Sequence, residues 1–225
     1  MAVVGELHVS FVCTGNICRS PMAEKMFAVH LYREGLADRV RVSSAGTDGW
    51  HAGADADART NATLLRHGYP TGHVAAKFGN QHRDADLLVA LDSGHERRLA
   101  TLGIPSDRRR LLRSFDPAAD ALDVPDPYYG DTADFDLVHD QIAAAIPGLL
   151  DWVRATLAAR TGDTSRAADP GDAIRSAHSV APVRGRTVDA SRDVVASTDG
   201  SFVVEEPGHK SDQSVSYEPV PDGRL

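Results

Sequence analysis

The sequence predicts a three-layer α/β/α domain on a four-stranded parallel sheet. Two observations carry this. Short apolar runs alternate with helical repeats of period 3.6 over residues 1–161, in the order β-α-β-α-β-α-β-α. One of those runs, Asp86 to Leu91, is apolar almost throughout, as expected of a strand covered on both faces. Parallel neighbours need right-handed crossovers, so the helices must fall on the two sides of the sheet.

Leu7 to Val12 reads as a buried strand. Ser20 and Pro21 open a helix, serine as N-cap and proline in the first turn. Met22, Met26 and Val29, beside Ala23, Phe27 and Leu31, form its apolar side, and Gly35 stops it. Arg39 to Ser43 is a second strand, and Asp57 to His67 a helix ended by Gly68. Asp86 to Leu91 is the third strand, Ser93 to Leu102 a helix, and Arg110 to Leu112 a short fourth strand. A long helix runs from Phe135 to about Ala159, with Phe135, Val138, Ile142, Ile146, Leu149, Val153 and Leu157 on one side and a kink expected at Pro147.

The 225 residues include 42% hydrophobic ones, enough to build a core without metal or disulfide support. The net charge of −8 argues against a protein that grips nucleic acid or an anionic membrane through bulk charge. It leaves room for a local cationic site. No apolar run approaches the ~20 residues that span a bilayer, and Met1 to Leu7 lacks the pattern of a signal peptide. Two cysteines, Cys13 and Cys18, are too few for a disulfide scaffold, so the reducing cytoplasm is the expected compartment. Composition breaks at Gly162. Of the 64 residues that follow, only 12 are Leu, Ile, Val or Phe, too few to offset the entropy of ordering them. Residues 1–161 are therefore read as one domain and 162–225 as a disordered polar tail, with Ser201 to Glu205 a weak strand signal inside it.

Ligands of open parallel sheets bind at the carboxyl ends of the strands, which directs attention to the loop after the first strand. It reads Cys13-Thr14-Gly15-Asn16-Ile17-Cys18-Arg19-Ser20. A loop entering a helix N-terminus points backbone N–H groups inward, where the dipole favours an anion. Gly15 and Asn16 are residue types that tolerate the left-handed backbone such a cradle needs. The same field favours the thiolate of Cys13. Arg19 supplies a planar fork for two phosphate oxygens. A nucleophile, an oxyanion cradle and a bidentate cation are the parts needed to displace a phosphoryl group.

The segment Phe11 to Glu24, and Val124-Pro125-Asp126-Pro127-Tyr128-Tyr129-Gly130 far downstream, resemble the low-molecular-weight protein tyrosine phosphatase family. Ser43 to Thr47 with Trp50, and Gly72 to Ala76, are similar to its intermediate landmarks. The resemblance covers residues 6 to about 160 and is strongest to the actinobacterial branch, which includes a secreted mycobacterial enzyme. It implies a metal-independent phosphatase with no cofactor. Cys13 would attack phosphorus, Arg19 would bind the equatorial oxygens together with Thr14, Gly15, Asn16, Ile17, Cys18 and Ser20, and Asp126 would act as general acid and base. Spacing alone leaves Asp116, in a second Asp-Pro pair, as a rival to Asp126. Ser20 would donate to the Cys13 sulfur, and Asn16, Ser44 and His73 would brace the loop. Ile17, Trp50, Tyr128 and Tyr129 would wall a slot deep enough for phosphotyrosine, and Cys18 would trap an oxidised Cys13 as a disulfide. The implied partners are phosphotyrosine proteins, a tyrosine kinase or host proteins among them, with export by a signal-independent route as an alternative to the cytoplasm. His51, His67, His82, His95 and His139 show no ligand spacing and read as surface residues. Two other functions compete. An arsenate reductase of the same fold needs further cysteines to shuttle a disulfide, and none follows Cys18. A catalytically silent phosphotyrosine-binding module would not need Cys13, Arg19 and Asp126 together.

Overall fold

The computed structural model describes residues 7–161, so the predicted tail and its weak strand lie outside the described residues. Four strands form one parallel sheet in the order β2-β1-β3-β4. They are β1 (Leu7–Cys13), β2 (Val40–Gly46), β3 (Leu87–Ala90) and β4 (Arg109–Leu111). The helices are α1 (Arg19–Arg33), α2 (Ala58–Arg66), α3 (Asn80–Arg83), α4 (Ser93–Thr101) and α5 (Thr132–Thr161).

The alternation of β1 sorts the two faces of the sheet. Leu7, Val9, Phe11 and Cys13 join one core, which holds Met22, Met26 and Phe27 of α1 and Phe135, Val138, Ile142 and Leu149 of α5. Phe11 meets Phe27 edge to face, ring centres 5.7 Å apart. Such a pair contributes about 0.5–1.5 kcal/mol beyond its buried area. Val12 faces the opposite way, into a smaller core with Leu88, Ala90, Leu99 of α4 and Ile104. Because β3 feeds both cores, it has to be apolar throughout.

Several elements differ from the sequence reading. The strand expected from Arg39 to Ser43 starts at Val40 and continues to Gly46, because β2 pairs with β1 in register from Leu7↔Val40 to Cys13↔Gly46. The short helix α3 carried too few residues for a periodic signal. The first helix begins at Arg19, with Cys18 as its N-cap and no side-chain cap; Ser20 lies inside the first turn. Gly35, at φ +66°, ends the chain segment after α1 as expected. Helix α5 passes through Pro147 without interruption. Among the described residues α5 alone is long and apolar enough to cross a membrane, but its apolar side forms the floor of the larger core.

The histidine reading is corrected at three places. His82, His95 and His139 are buried rather than on the surface, since each lies on the inward side of its helix. His67 stacks on His139 at 3.6 Å between ring centres. His8, on β1, is also buried, with burial and the nearby Arg41 charge lowering its pKa to about 4. Arg41 donates to its Nδ1 at 2.6 Å, so Nε2 carries the proton and donates to Ser43 at 2.7 Å. Ser43 in turn donates to Ser10 at 3.0 Å.

Candidate active site

Strand order reverses direction around β1: the chain crosses from β1 to β2 on one side and returns to β3 on the other. The loops after β1 and β3 therefore flank one crevice at the carboxyl end of the sheet. The β1 loop supplies Cys13 to Arg19, and the β3 loop supplies Asp92.

The conformation of the β1 loop turns on Asn16. Its φ is +58°, the only positive value at a non-glycine among the described residues. Such a backbone costs roughly 1–2 kcal/mol. The surrounding hydrogen bonds offset it. The Asn16 amide donates to Ser20 and to Ser44, each at 2.8 Å, and its Oδ1 accepts from the Ala76 N–H at 2.8 Å. His73 Nε2 reaches both the Asn16 carbonyl at 3.0 Å and Oδ1 at 3.1 Å. Ser44 donates to Glu24 at 2.5 Å, and Glu24 lies 3.7 Å from the other ring nitrogen of His73. Burial lowers the His73 pKa against the pull of Glu24. Glu24 was not among the expected bracing residues, because nothing in the spacing shows that one turn of α1 brings it beneath Ser44.

Two donors face the buried Cys13 sulfur: Ser20 Oγ at 2.9 Å and the Asn16 N–H at 3.3 Å. Each stabilises negative charge on the sulfur. Ser20 does this from inside the first turn of α1. The first turn of α1 is left without a side-chain cap and faces the loop. Arg19 is buried and held by three acceptors. Its Nη1 donates to Asp92 at 2.8 Å and to the Val124 carbonyl at 3.1 Å, and its Nη2 donates to Asp126 at 2.8 Å. Burial raises the Asp92 pKa, but the ring and backbone N–H of His95, with the Arg19 charge, outweigh it and hold the carboxyl well below the usual range. Asp92 also escaped the sequence reading, although an N-cap aspartate directly after a central strand is a legible signal.

Asp126 and Asp116 separate clearly. Asp126 lines the same cleft as Cys13 and Arg19. Asp116 closes a local turn by accepting from the Ala118 N–H at 2.9 Å. The Asp126 segment is clamped by Arg59 at the start of α2, which donates to the carbonyls of Tyr128 and Gly130, each at 2.9 Å, while packing 4.6 Å over the Phe135 ring. Arg59 is another positioning residue that spacing alone did not reveal.

The cleft has a volume of about 270 Å³ and is lined by Cys13, Thr14, Gly15, Ile17, Cys18 and Arg19 below, with Trp50, His51, Asp126, Tyr128 and Tyr129 around the mouth. Trp50 and Tyr129 line the cleft as expected and, at 84% and 98% exposure, stand at its rim. His51 is part of that rim, 6.3 Å from the Tyr128 ring, and not a remote surface residue. Cys18 is buried and unpaired, its pKa pushed up to about 12 by burial first and nearby Asp57 next. No group of three or more potential metal ligands occurs among the described residues.

The fold and the cleft together place a buried cysteine sulfur at the floor of a loop that leads into a helix N-terminus, a layout suited to a phosphatase. Comparison with known proteins agrees. The profile of the family described as low molecular weight phosphotyrosine protein phosphatase matches residues 8–160. Low molecular weight protein-tyrosine phosphatase A of Mycobacterium tuberculosis is 60% identical over 154 residues, covering 68% of this chain and 94% of that one. The low molecular weight protein-tyrosine-phosphatase of Streptomyces coelicolor is 50% identical, over 65% of this chain and 93% of that one. A crystal structure of protein tyrosine phosphatase from Entamoeba histolytica superposes with a TM-score of 0.64 at 27% identity, covering 67% and 99% of the two chains. The chain belongs to the low molecular weight phosphotyrosine protein phosphatase family, within reach of its actinobacterial members.

Proposed function

We propose that this chain hydrolyses phosphotyrosine in proteins, and aryl phosphates generally, through a cysteinyl-phosphate intermediate. The supporting observation is that the Cys13 sulfur, Arg19 and Asp126 share one open cleft, with two donors already turned toward the sulfur. Cys13 attacks phosphorus as the bond to the phenolic oxygen breaks. The N–H groups of Thr14 to Ser20 and the Arg19 fork take up the equatorial oxygens. Phenol has a pKa of about 10, so its oxygen leaves far more readily when Asp126 protonates it. Asp126, now a carboxylate, then takes a proton from water as that water attacks phosphorus. The thiolate departs, eased by Ser20. The substrates are phosphotyrosine-bearing proteins, with a tyrosine kinase or host proteins as candidates. The aromatic rim of Trp50, Tyr128 and Tyr129 offers faces on which a tyrosyl ring stacks.

The test is trapping. Wild type quenched during turnover of a labelled aryl phosphate carries the label on the peptide that contains Cys13. Cys13→Ser loses turnover but still binds phosphate or vanadate, since the cradle remains. Turnover by Cys13→Ser within tenfold of wild type overturns the mechanism.

A further inference from the structure

His95 is buried to 4% exposure at the first turn of α4. A buried polar ring nitrogen without a partner is costly to leave unmatched. The Nε2 of His95 lies 2.9 Å from Thr14 Oγ1. Its Nδ1 lies 3.0 Å from Asp92 Oδ1 but outside hydrogen-bond alignment, so the contact there is electrostatic. The other oxygen of Asp92 accepts from Arg19 at 2.8 Å. Thr14 is the residue directly after the nucleophile, and Arg19 is the last residue of the cradle. The contacts Thr14–His95, His95–Asp92 and Asp92–Arg19 therefore run in series from one end of the loop to the other.

We propose that His95 is a positioning residue that straps the two ends of the phosphate loop together across the N-terminus of α4. The proposal rests on the reading of Cys13 to Arg19 as the phosphoryl site. The carboxylate beside Nδ1 favours a proton there, which leaves Nε2 to accept the Thr14 hydroxyl proton. The Thr14 side chain is then held from the α4 side. Its carbonyl is held from the β2 side, where it accepts from the Asp48 N–H at 3.0 Å. Two anchors on opposite flanks fix the peptide plane, and with it the direction of the N–H groups next to the reacting phosphorus. The Asn16 network braces the middle of the loop, and the strap fixes its ends.

Without His95, Thr14 is free to rotate and Asp92 loses one of the groups that orient it toward Arg19. A misplacement of about 1 Å at a reacting centre costs on the order of 10²-fold in rate. His95→Ala is expected to lower kcat on p-nitrophenyl phosphate by about 10- to 100-fold. KM should change little. The inhibition constant of vanadate, which mimics the five-coordinate state, should rise in proportion to the loss of kcat, while that of phosphate stays nearly constant. A glutamine at this position reaches Thr14, so His95→Gln should recover part of the loss. Thr14→Val should reproduce much of the defect, and Thr14→Val combined with His95→Ala should be no worse than the weaker of the two single variants. If His95→Ala does not fold, His95→Gln and Thr14→Val carry the same cycle.

Full activity of Thr14→Val, multiplicative losses in the double variant, or equal weakening of phosphate and vanadate overturns the strap. Trapping the labelled Cys13 intermediate in the same preparations separates the two levels. A trapped intermediate with unchanged His95→Ala kinetics rejects only the strap. No trapped intermediate in wild type rejects the reading of the loop beneath it.

Discussion

Arg19 and Asp126 hold each other at the mouth of the cleft, Nη2 to Oδ2 at 2.8 Å, with the arginine side chain 4% exposed and the aspartate 52%. Water screens the half-exposed carboxylate and weakens the pair. An incoming phosphoryl group can therefore displace the carboxylate from Arg19 and turn it toward the leaving oxygen. In the proposed mechanism the same two residues serve binding and acid catalysis in sequence, which makes their effects separable.

Asp126→Ala is expected to lower kcat by roughly 10²–10⁴ for phenolic leaving groups. It should leave phosphate binding equal or tighter, because Arg19 loses a competitor. The loss should shrink for leaving groups that depart without a proton. Rates and phosphate inhibition across a series of aryl phosphates check this. The same pattern in Asp116→Ala would move the acid to the other Asp-Pro pair.

Asn16→Ala should destabilise the protein by about 2 kcal/mol or more. It removes bonds to Ser20, Ser44, Ala76 and His73 while keeping a left-handed backbone that alanine dislikes. Asn16→Gly removes the same bonds but relieves the backbone, so its loss should be smaller in urea unfolding, with a similar loss of kcat. Equal stability of Asn16→Ala and wild type would contradict the brace.

Stability should fall as pH drops below about 6.5. The folded pKa of His8 is about 4, lowered from 6.5, so between those values the unfolded chain binds the extra proton. Stability from the neutral ring is fully present above 6.5 and is lost as pH falls toward 4. The loss is on the order of 3 kcal/mol for this shift. The lowered pKa values of His73 and His82 act in the same direction. Unfolding midpoints between pH 7 and 4.5 read the slope, and His8→Asn should flatten it.

Peroxide should inactivate the enzyme, and a dithiol should restore it, if Cys18 captures an oxidised Cys13. The high pKa of Cys18, about 12, makes it a poor free thiolate, so capture should be slower than in exposed cysteine pairs. Cys18→Ser should turn over normally but recover poorly after the same dose. Equal recovery of the two proteins argues against a protective disulfide.

A chain ending at Thr161 should keep kcat and KM, because the family match spans residues 8–160. A fall in either constant beyond twofold would show that residues after 161 contribute to the cleft.

The sequence by itself determined the sheet and the loop. Helical and strand periods, the doubly apolar run at Leu87 to Ala90, and the strand-loop-helix passage at Cys13 to Ser20 are local patterns, so local physics exposes them. The same holds for Cys13, Arg19 and the two Asp-Pro candidates, whose chemistry shows in residue type. Only the tertiary structure decided what meets across the sheet. It joins Asp92 from the loop after β3 to Arg19 at the start of α1, His95 to Thr14, Glu24 to Ser44 and Arg59 to the Asp126 segment. It also places Asp126, and not Asp116, at the cleft. These contacts join residues 20 to 81 positions apart. No periodicity reports them, because they depend on which strand ends the crossovers bring side by side. The buried histidines were misread because a lone polar ring carries no apolar period, and only the packed chain shows which side of its helix is covered.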